Sequence, residues 1–352
     1  MKDMSKPFIV NCEVFLQCHG HCSGCFLSEI ERAEENTHLS KIKEPLLRLL
    51  NENKDGFTHY VIGFGRGNLL SMSDSYWNEL LLLIDDCEEI LGKEMVTFEI
   101  STSLIGKLDK QVDISKSLIR KNQNIYFNVV INSEITSNKF WENWNVFYQE
   151  NVKERESLGF VDYTGDIVVI NVNPRKLPDL QLLKSAFNNK PSPINISLFP
   201  YDGLLISQQE LDKLNLWSLE MFDIFKDLDL NIKNYLNGLS SIGVGNSLED
   251  TLSYHNETLS SYFFIDKNGQ LVPGSTSIMG EVDYVRLLEK YSTNVSPQSA
   301  IIKMQKNKTC INCDYQQTCI LSGAYLNMMH NEKRAVGVKG CLSGYQKIFE
   351  SI

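Results

Sequence analysis

The feature that most constrains this chain is a rhythm. Six short apolar, β-rich runs, FIVNCEVFL (8–16), THYVIGF (58–64), MVTFEIS (95–101), IYFNVVI (125–131), DIVVINV (166–172) and INISLF (194–199), alternate with longer amphipathic stretches at 38–51, 74–91, 108–121, 138–154, 176–188 and 208–227. Repeated β-then-α units with near-continuous apolar strands predict an α/β fold: a parallel sheet covered by helices, closed or partly closed as a barrel. Ser207 followed by Glu210 forms a capping-box signature at the start of the last helix. After about residue 230 the rhythm breaks into a Gly-, Ser- and Asn-rich segment (237–261). SYFFIDKNGQLVPG (261–274) then reads as two strands around the turn Asp266-Lys267-Asn268-Gly269, with a helix candidate at 280–291.

At 352 residues the chain has room for one large unit and a smaller appendage. No apolar run approaches a membrane span, and the N-terminus lacks a secretory cleavage pattern, so the expected location is the cytoplasm, with no membrane partner. A net charge of −10 disfavours a broad grip on phosphate backbones, and no nucleic-acid partner is expected.

Seven of the nine cysteines fall into two clusters near opposite ends of the chain, a distribution that points to metal rather than disulfides in a reducing compartment. In CHGHCSGC (18–25), Cys18, Cys22 and Cys25 have the spacing C-x3-C-x2-C just after the first predicted strand. In a parallel barrel that strand end carries the chemistry. Three thiolates leave one iron of a [4Fe-4S] cluster open to a small molecule; a zinc site completed by Cys12, His19 or His21 would use the same cysteines.

This arrangement resembles the radical SAM enzymes, whose C-x3-C-x2-C motif lies on the loop after the first strand of a partial (β/α)6 TIM-like barrel. The resemblance implies a cluster that binds S-adenosylmethionine (SAM) and reduces it to a 5′-deoxyadenosyl radical, which abstracts a substrate hydrogen. It assigns the barrel to residues 1–235. Gly24 stands where the family has an aromatic or apolar residue, and Phe26 is the substitute for that adenine contact.

IGFGRGNLL (62–70) follows the second strand, and its glycines would let backbone approach a ligand. It looks like a diverged Gly-Gly-Glu motif, with Gly65, Gly67 and Asn68 as SAM contacts and Asn68 at the acidic position. Ser101 and Thr102 end the third strand where the family has a Thr-Asn-Gly-like turn near the ribose, or they cap the next helix. Asn128 and Asn132 hold the corresponding place on the fourth strand.

Cys310, Cys313 and Cys319 form C-x2-C-x5-C, and Cys341 follows. Four thiolates can close the coordination of zinc or of a [4Fe-4S] cluster. The run resembles the C-terminal end of SPASM and twitch extensions, which implies a small α+β unit over 236–352 with one auxiliary [4Fe-4S] cluster, fully ligated. Gly274 and Gly323 replace cysteines that a second auxiliary cluster would need.

Such enzymes commonly modify ribosomally made peptides or oxidise a residue of a partner protein. The expected activity is therefore peptide or protein modification, with an electron donor such as flavodoxin or ferredoxin. A small-molecule dehydrogenase or cofactor-pathway enzyme is the alternative, and a zinc-stabilised binding protein a third class. Cys87 and the aromatic run at 140–149 read as core, and no catalytic acid or base stands out by spacing.

Overall fold

The computed structural model describes residues 7–20, 29–132, 137–160, 165–172, 175–188, 194–197, 207–225, 262–273, 310–314 and 339–341. Five helix-then-strand steps carry the chain from β1 (Phe8–Phe15) to β6 (Ile194–Ser197). Between these lie α1 (Glu29–Arg32), α2 (Leu39–Asn53), β2 (Tyr60–Arg66), α3 (Asp74–Leu91), β3 (Val96–Thr102), α4 (Leu108–Lys121), β4 (Ile125–Asn132), α5 (Asn138–Ser157), β5 (Ile167–Asn171) and α6 (Leu180–Asn188). Helix α7 (Gln208–Phe225) follows β6. Among the described residues the single-turn α1 has no counterpart in the sequence pattern, and the helix candidate at 280–291 lies outside them.

Neighbouring strands from β1 to β6 are parallel and in sequential order, as six β/α units require. The sheet is open among the described residues, an α/β partial barrel. A hairpin, β7 (Tyr262–Ile265) and β8 (Leu271–Pro273), extends it past β1: β7 pairs with β1 in parallel and β8 with β7 in antiparallel fashion. The predicted two-strand reading of 261–274 thus holds, and the hairpin belongs to the barrel sheet. Its turn is fixed by Asp266, whose carboxylate accepts from the backbone N–H of Asn268 and Gln270. Gly269 is required there twice over: its φ is +81°, and a Cβ would lie 2.4 Å from the Lys41 carbonyl oxygen.

One face of the sheet is uniformly apolar. Phe8, Val10, Tyr60, Ile62, Phe64, Val96, Phe98, Ile100, Phe127, Val129 and Val168 are buried against the helices. The alternating residues Ile9, Asn11, Val61, Thr97, Glu99, Ser101, Tyr126, Asn128 and Val130 are only half-buried. A side-chain period of two therefore gives the sheet a dry face and a partly polar, accessible one.

The helices are seated by their predicted apolar stripes. On α5, Phe140, Trp144, Phe147 and Tyr148 are buried, with Phe147 packed edge-on to Phe127 of β4. Cys87 of α3 and Cys12 of β1 are buried core thiols, and desolvation pushes the pKa of both upward. The capping box at α7 forms as read: Glu210 Oε2 accepts from the Ser207 N–H, and Ser207 Oγ accepts from the Glu210 N–H. No helix among the described residues is long and apolar enough to cross a membrane.

Candidate active site

The carboxyl ends of β1, β2 and β3 build one corner. Past the end of β1, pairing with β2 continues through two backbone bonds: Gly67 N–H donates to the Phe15 carbonyl and Asn68 N–H to that of Gln17, each at 2.8 Å. This carries Cys18 across the strand ends until its Sγ lies 4.0 Å from Ser103 Oγ, just beyond β3. The segment is held from the other side by α1. Cys18 N–H donates to the Arg32 carbonyl, and Arg32 Nη1 donates to the Gly20 carbonyl at 2.9 Å. The N–H of Gly20 points at Cys18 Sγ at 3.4 Å, the kind of hydrogen bond that supports a ligating thiolate. Cys22, Cys25 and Phe26 lie outside the described residues.

Within the protein, the glycine run makes room for neighbouring groups. A Cβ on Gly63 would meet Asn11 Oδ1 at 1.9 Å, one on Gly65 would meet Ser101 Oγ at 3.0 Å, and one on Gly67 would stand 2.4 Å from the Gln17 carbonyl oxygen. Each glycine thus admits a neighbouring part of the protein. Gly67 in particular lets the Leu16–Gln17 backbone pass over β2 on its way to Cys18.

Asn68 is fully buried. Its Oδ1 accepts from Thr102 Oγ1 at 2.5 Å and from the Ser103 N–H at 3.5 Å, while its Nδ2 donates to the Ile105 carbonyl at 2.8 Å. Thr102 is buried too, so the two side chains brace β2 against the turn after β3. In that turn Leu104 adopts a left-handed φ of 53°, an uncommon conformation for a branched side chain.

Ser101 and Asn128 share the accessible face and are partners in the β3–β4 register. Asn132 pairs with Asn171 at the end of β4. Between Thr97 and Ser101 on the same face stands Glu99, absent from the sequence-based candidates. Asn128 Nδ2 donates to Glu99 Oε2 at 3.0 Å. Burial raises the pKa of this carboxyl, and the Asn128 bond opposes the rise. The period-two alternation of VTFEIST was the signal that could have found it.

A second missed feature borders the corner. Glu13, fully buried near the end of β1, meets Arg66 Nε at 3.0 Å, and the Arg66 guanidinium lies over the Phe264 ring of β7. Glu13 Oε2 also accepts from the Lys267 N–H in the hairpin turn. The hairpin is thereby fastened to the strand ends that carry Cys18.

Of the second cysteine cluster, Cys310, Cys313 and Cys341 are described and Cys319 is not. Cys310 begins a 3-10 turn, and Cys313 N–H donates to the Cys310 carbonyl at 3.0 Å, so the C-x2-C pair occupies one turn. All three thiols are partly accessible. Gln208, on the first turn of α7, makes a two-way clamp on Lys339: its Nε2 donates to the Lys339 carbonyl and its Oε1 accepts from the Lys339 N–H. This fixes the approach to Cys341. Among the described residues no group of three metal-ligating side chains converges. What the described cysteines supply is the donor chemistry: accessible thiols on short, hydrogen-bonded turns fit thiolate ligands of an iron-sulfur centre.

No family model and no curated protein matches this sequence. Solved structures match its fold. Native anSMEcpe with bound AdoMet (S-adenosylmethionine) aligns with a TM-score of 0.58 at 11% identity, covering 98% of this chain and 96% of that one. A hexahistidine-tagged anSMEcpe with bound AdoMet aligns at 0.54 and 11% identity, covering 98% and 92%. Native anSMEcpe with bound AdoMet and the Cp18Cys peptide aligns at 0.52 and 11% identity, covering 98% and 96%.

Proposed function

We propose that this chain, which has the radical SAM fold of those structures, is an enzyme that reductively cleaves SAM and removes a hydrogen atom from a peptide or protein side chain. The observation that carries the reading is the placement of Cys18. The first cysteine of a C-x3-C-x2-C motif leaves β1 at the carboxyl end of the sheet and stands beside the Ser103 turn, above an accessible polar face. The peptide-bound neighbour favours a peptide as the substrate class.

In this reading Cys18, Cys22 and Cys25 hold a [4Fe-4S] cluster, and Cys310, Cys313, Cys319 and Cys341 hold an auxiliary one. Bound at the first site, cluster and SAM supply one electron and a 5′-deoxyadenosyl radical. The chain's own residues position that chemistry. Gly67 brings the Cys18 segment over β2. Asn68 and Thr102 fix the turn from which Ser103 meets Cys18. Ser101 and Asn128 present a hydroxyl and an amide to the nucleoside, with Gly65, Asn132 and Phe26 completing the contacts. The barrel spans 1–235 and the cluster-binding unit 236–352, with the β7–β8 hairpin of the latter stretch built into the barrel sheet beside β1. An electron donor of the flavodoxin or ferredoxin type serves the enzyme in the cytoplasm.

The test is anaerobic reconstitution with iron and sulfide, followed by reduction in the presence of SAM. The expected content is about eight irons per chain, with 5′-deoxyadenosine formed. Replacing Cys18, Cys22 and Cys25 together by Ala should abolish 5′-deoxyadenosine formation while sparing the iron held at the second site. Zinc without iron in the anaerobic protein, or cleavage that survives the triple substitution, overturns the reading. Co-expression with a short peptide encoded beside the gene, followed by mass spectrometry of that peptide, tests the substrate class.

A further inference from the structure

We propose that Arg32 is a contact of the first iron-sulfur centre: the Nε–Nη2 edge of its guanidinium donates to sulfur atoms of the cluster held by Cys18, Cys22 and Cys25, and raises that cluster's reduction potential. The inference rests on the radical SAM reading and concerns how this particular chain tunes the site.

Arg32 embraces the start of the cysteine segment. Its backbone carbonyl accepts from the Cys18 N–H at 3.1 Å, and its Nη1 donates at 2.9 Å to the carbonyl of Gly20, whose own N–H points at Cys18 Sγ. The guanidinium therefore lies alongside the short span that carries the first thiol. With Nη1 engaged, the edge that remains is Nε with Nη2, the one that makes paired bonds to an acceptor. It makes none among the described residues, and Nε is shut off from water as well. An N–H of a cation withheld from both solvent and protein is costly unless something accepts from it.

The sequence limits what that acceptor can be. Residues 18–28, CHGHCSGCFLS, contain no acid. On α1 itself, Glu31 and Glu34 lie 3.7 and 3.4 Å from Lys267 Nζ of the hairpin turn. Arg32 forms no ion pair among the described residues. The negative charge that remains is that of the centre the three cysteines build, whose thiolate and sulfide sulfurs accept hydrogen bonds. Reduction adds one electron, and hence one negative charge, to such a cluster. A guanidinium beside it stabilises the reduced form more than the oxidised one and moves the potential upward.

Redox titration of the reconstituted full chain, followed by electron paramagnetic resonance, tests this with the variants Arg32→Gln and Arg32→Lys. The first cluster is told apart by the change of its signal when SAM is added. In Arg32→Gln the equilibrium constant for reducing the first cluster should fall about tenfold, which is about 59 mV for one electron, while the auxiliary cluster keeps its potential. Arg32→Lys keeps the charge and should recover part of the shift. A role confined to holding Gly20 would move neither potential. Should Arg32→Gln lose the iron of the first site, retention of that iron by Arg32→Lys supports the contact, and equal loss in both overturns it. An Arg32→Gln protein with full iron and an unchanged potential overturns the proposal and leaves the radical SAM reading intact. So does a loss confined to SAM affinity, which would make the cofactor's carboxylate the acceptor. A parent protein without a reducible first cluster overturns both.

Discussion

Thr102 Oγ1 donates to Asn68 Oδ1 at 2.5 Å, a buried bond that joins the end of β3 to the end of β2 directly beneath the Cys18 segment. Asn68 thus satisfies donors on one strand end and an acceptor, the Ile105 carbonyl, beyond it. Replacing it by Ala leaves the Thr102 hydroxyl and the Ser103 N–H without their acceptor, at a cost of about 2 to 4 kcal/mol in urea unfolding. Asn68→Asp restores the acid of the family motif but cannot donate to Ile105, and it places a charge in a buried site. It should lose comparable stability and gain no SAM affinity. An Asp variant as stable as the parent and tighter for SAM would show that the position is a ligand contact after all.

The glycines at 65 and 67 should respond differently to the same substitution. In Gly67→Ala the added Cβ meets the backbone of Leu16 and Gln17, which cannot step aside without moving Cys18. A loss of about 2 kcal/mol or more is expected, the range for overpacking against an unyielding neighbour, together with poor iron incorporation at the first site. In Gly65→Ala the Cβ meets the Ser101 side chain at 3.0 Å, so the double variant Gly65→Ala, Ser101→Gly should recover most of the loss. Paired melting and iron analysis of the three proteins checks this, and a Gly67→Ala protein with full stability and iron would refute the packing argument.

How much of this was legible in sequence follows from the kind of information each feature needs. The six strands and their helices are written locally, as period-two and period-3.6 patterns, and their boundaries agree with the structure to within a few residues. The capping box at Ser207 and Glu210 is equally local. The glycine run was legible as a place of close approach, but the backbone of Leu16 and Gln17 that Gly67 admits lies fifty residues away in sequence. The same limit hid the partners of Asn68, since Thr102, Ser103 and Ile105 come from the next β/α unit. Glu99 could have been found from its alternation with Ser101. The Glu13–Arg66 pair could not, because it is completed by Phe264 and Lys267 from the far end of the chain.

That pair supplies its own prediction. Glu13 and Arg66 are both nearly inaccessible, so removing one leaves a buried charge without its counterion. Glu13→Ala should cost about 3 to 5 kcal/mol, whereas the double variant Glu13→Gln, Arg66→Met should recover more than half of that. Limited proteolysis offers a second measure: release of the hairpin turn, which Glu13 holds through the Lys267 N–H, should accelerate in Glu13→Ala. A double variant that loses as much as Glu13→Ala would mean that the side chains act independently.

Glu99 should betray its burial through stability. Its folded-state pKa is raised above the ordinary carboxylate value, chiefly by burial. Between the unfolded and folded values the folded protein therefore binds the extra proton, so stability falls as pH rises across that window. The contribution is fully present below the unfolded value and is lost above the folded one. Glu99→Gln removes the ionisation, so the ligand-free variant should match the parent near pH 4 and exceed it in melting temperature at neutral pH. Melting curves of both proteins at the two pH values decide the matter, and a variant less stable than the parent at neutral pH would show that the charged carboxylate, held by Asn128, stabilises the fold.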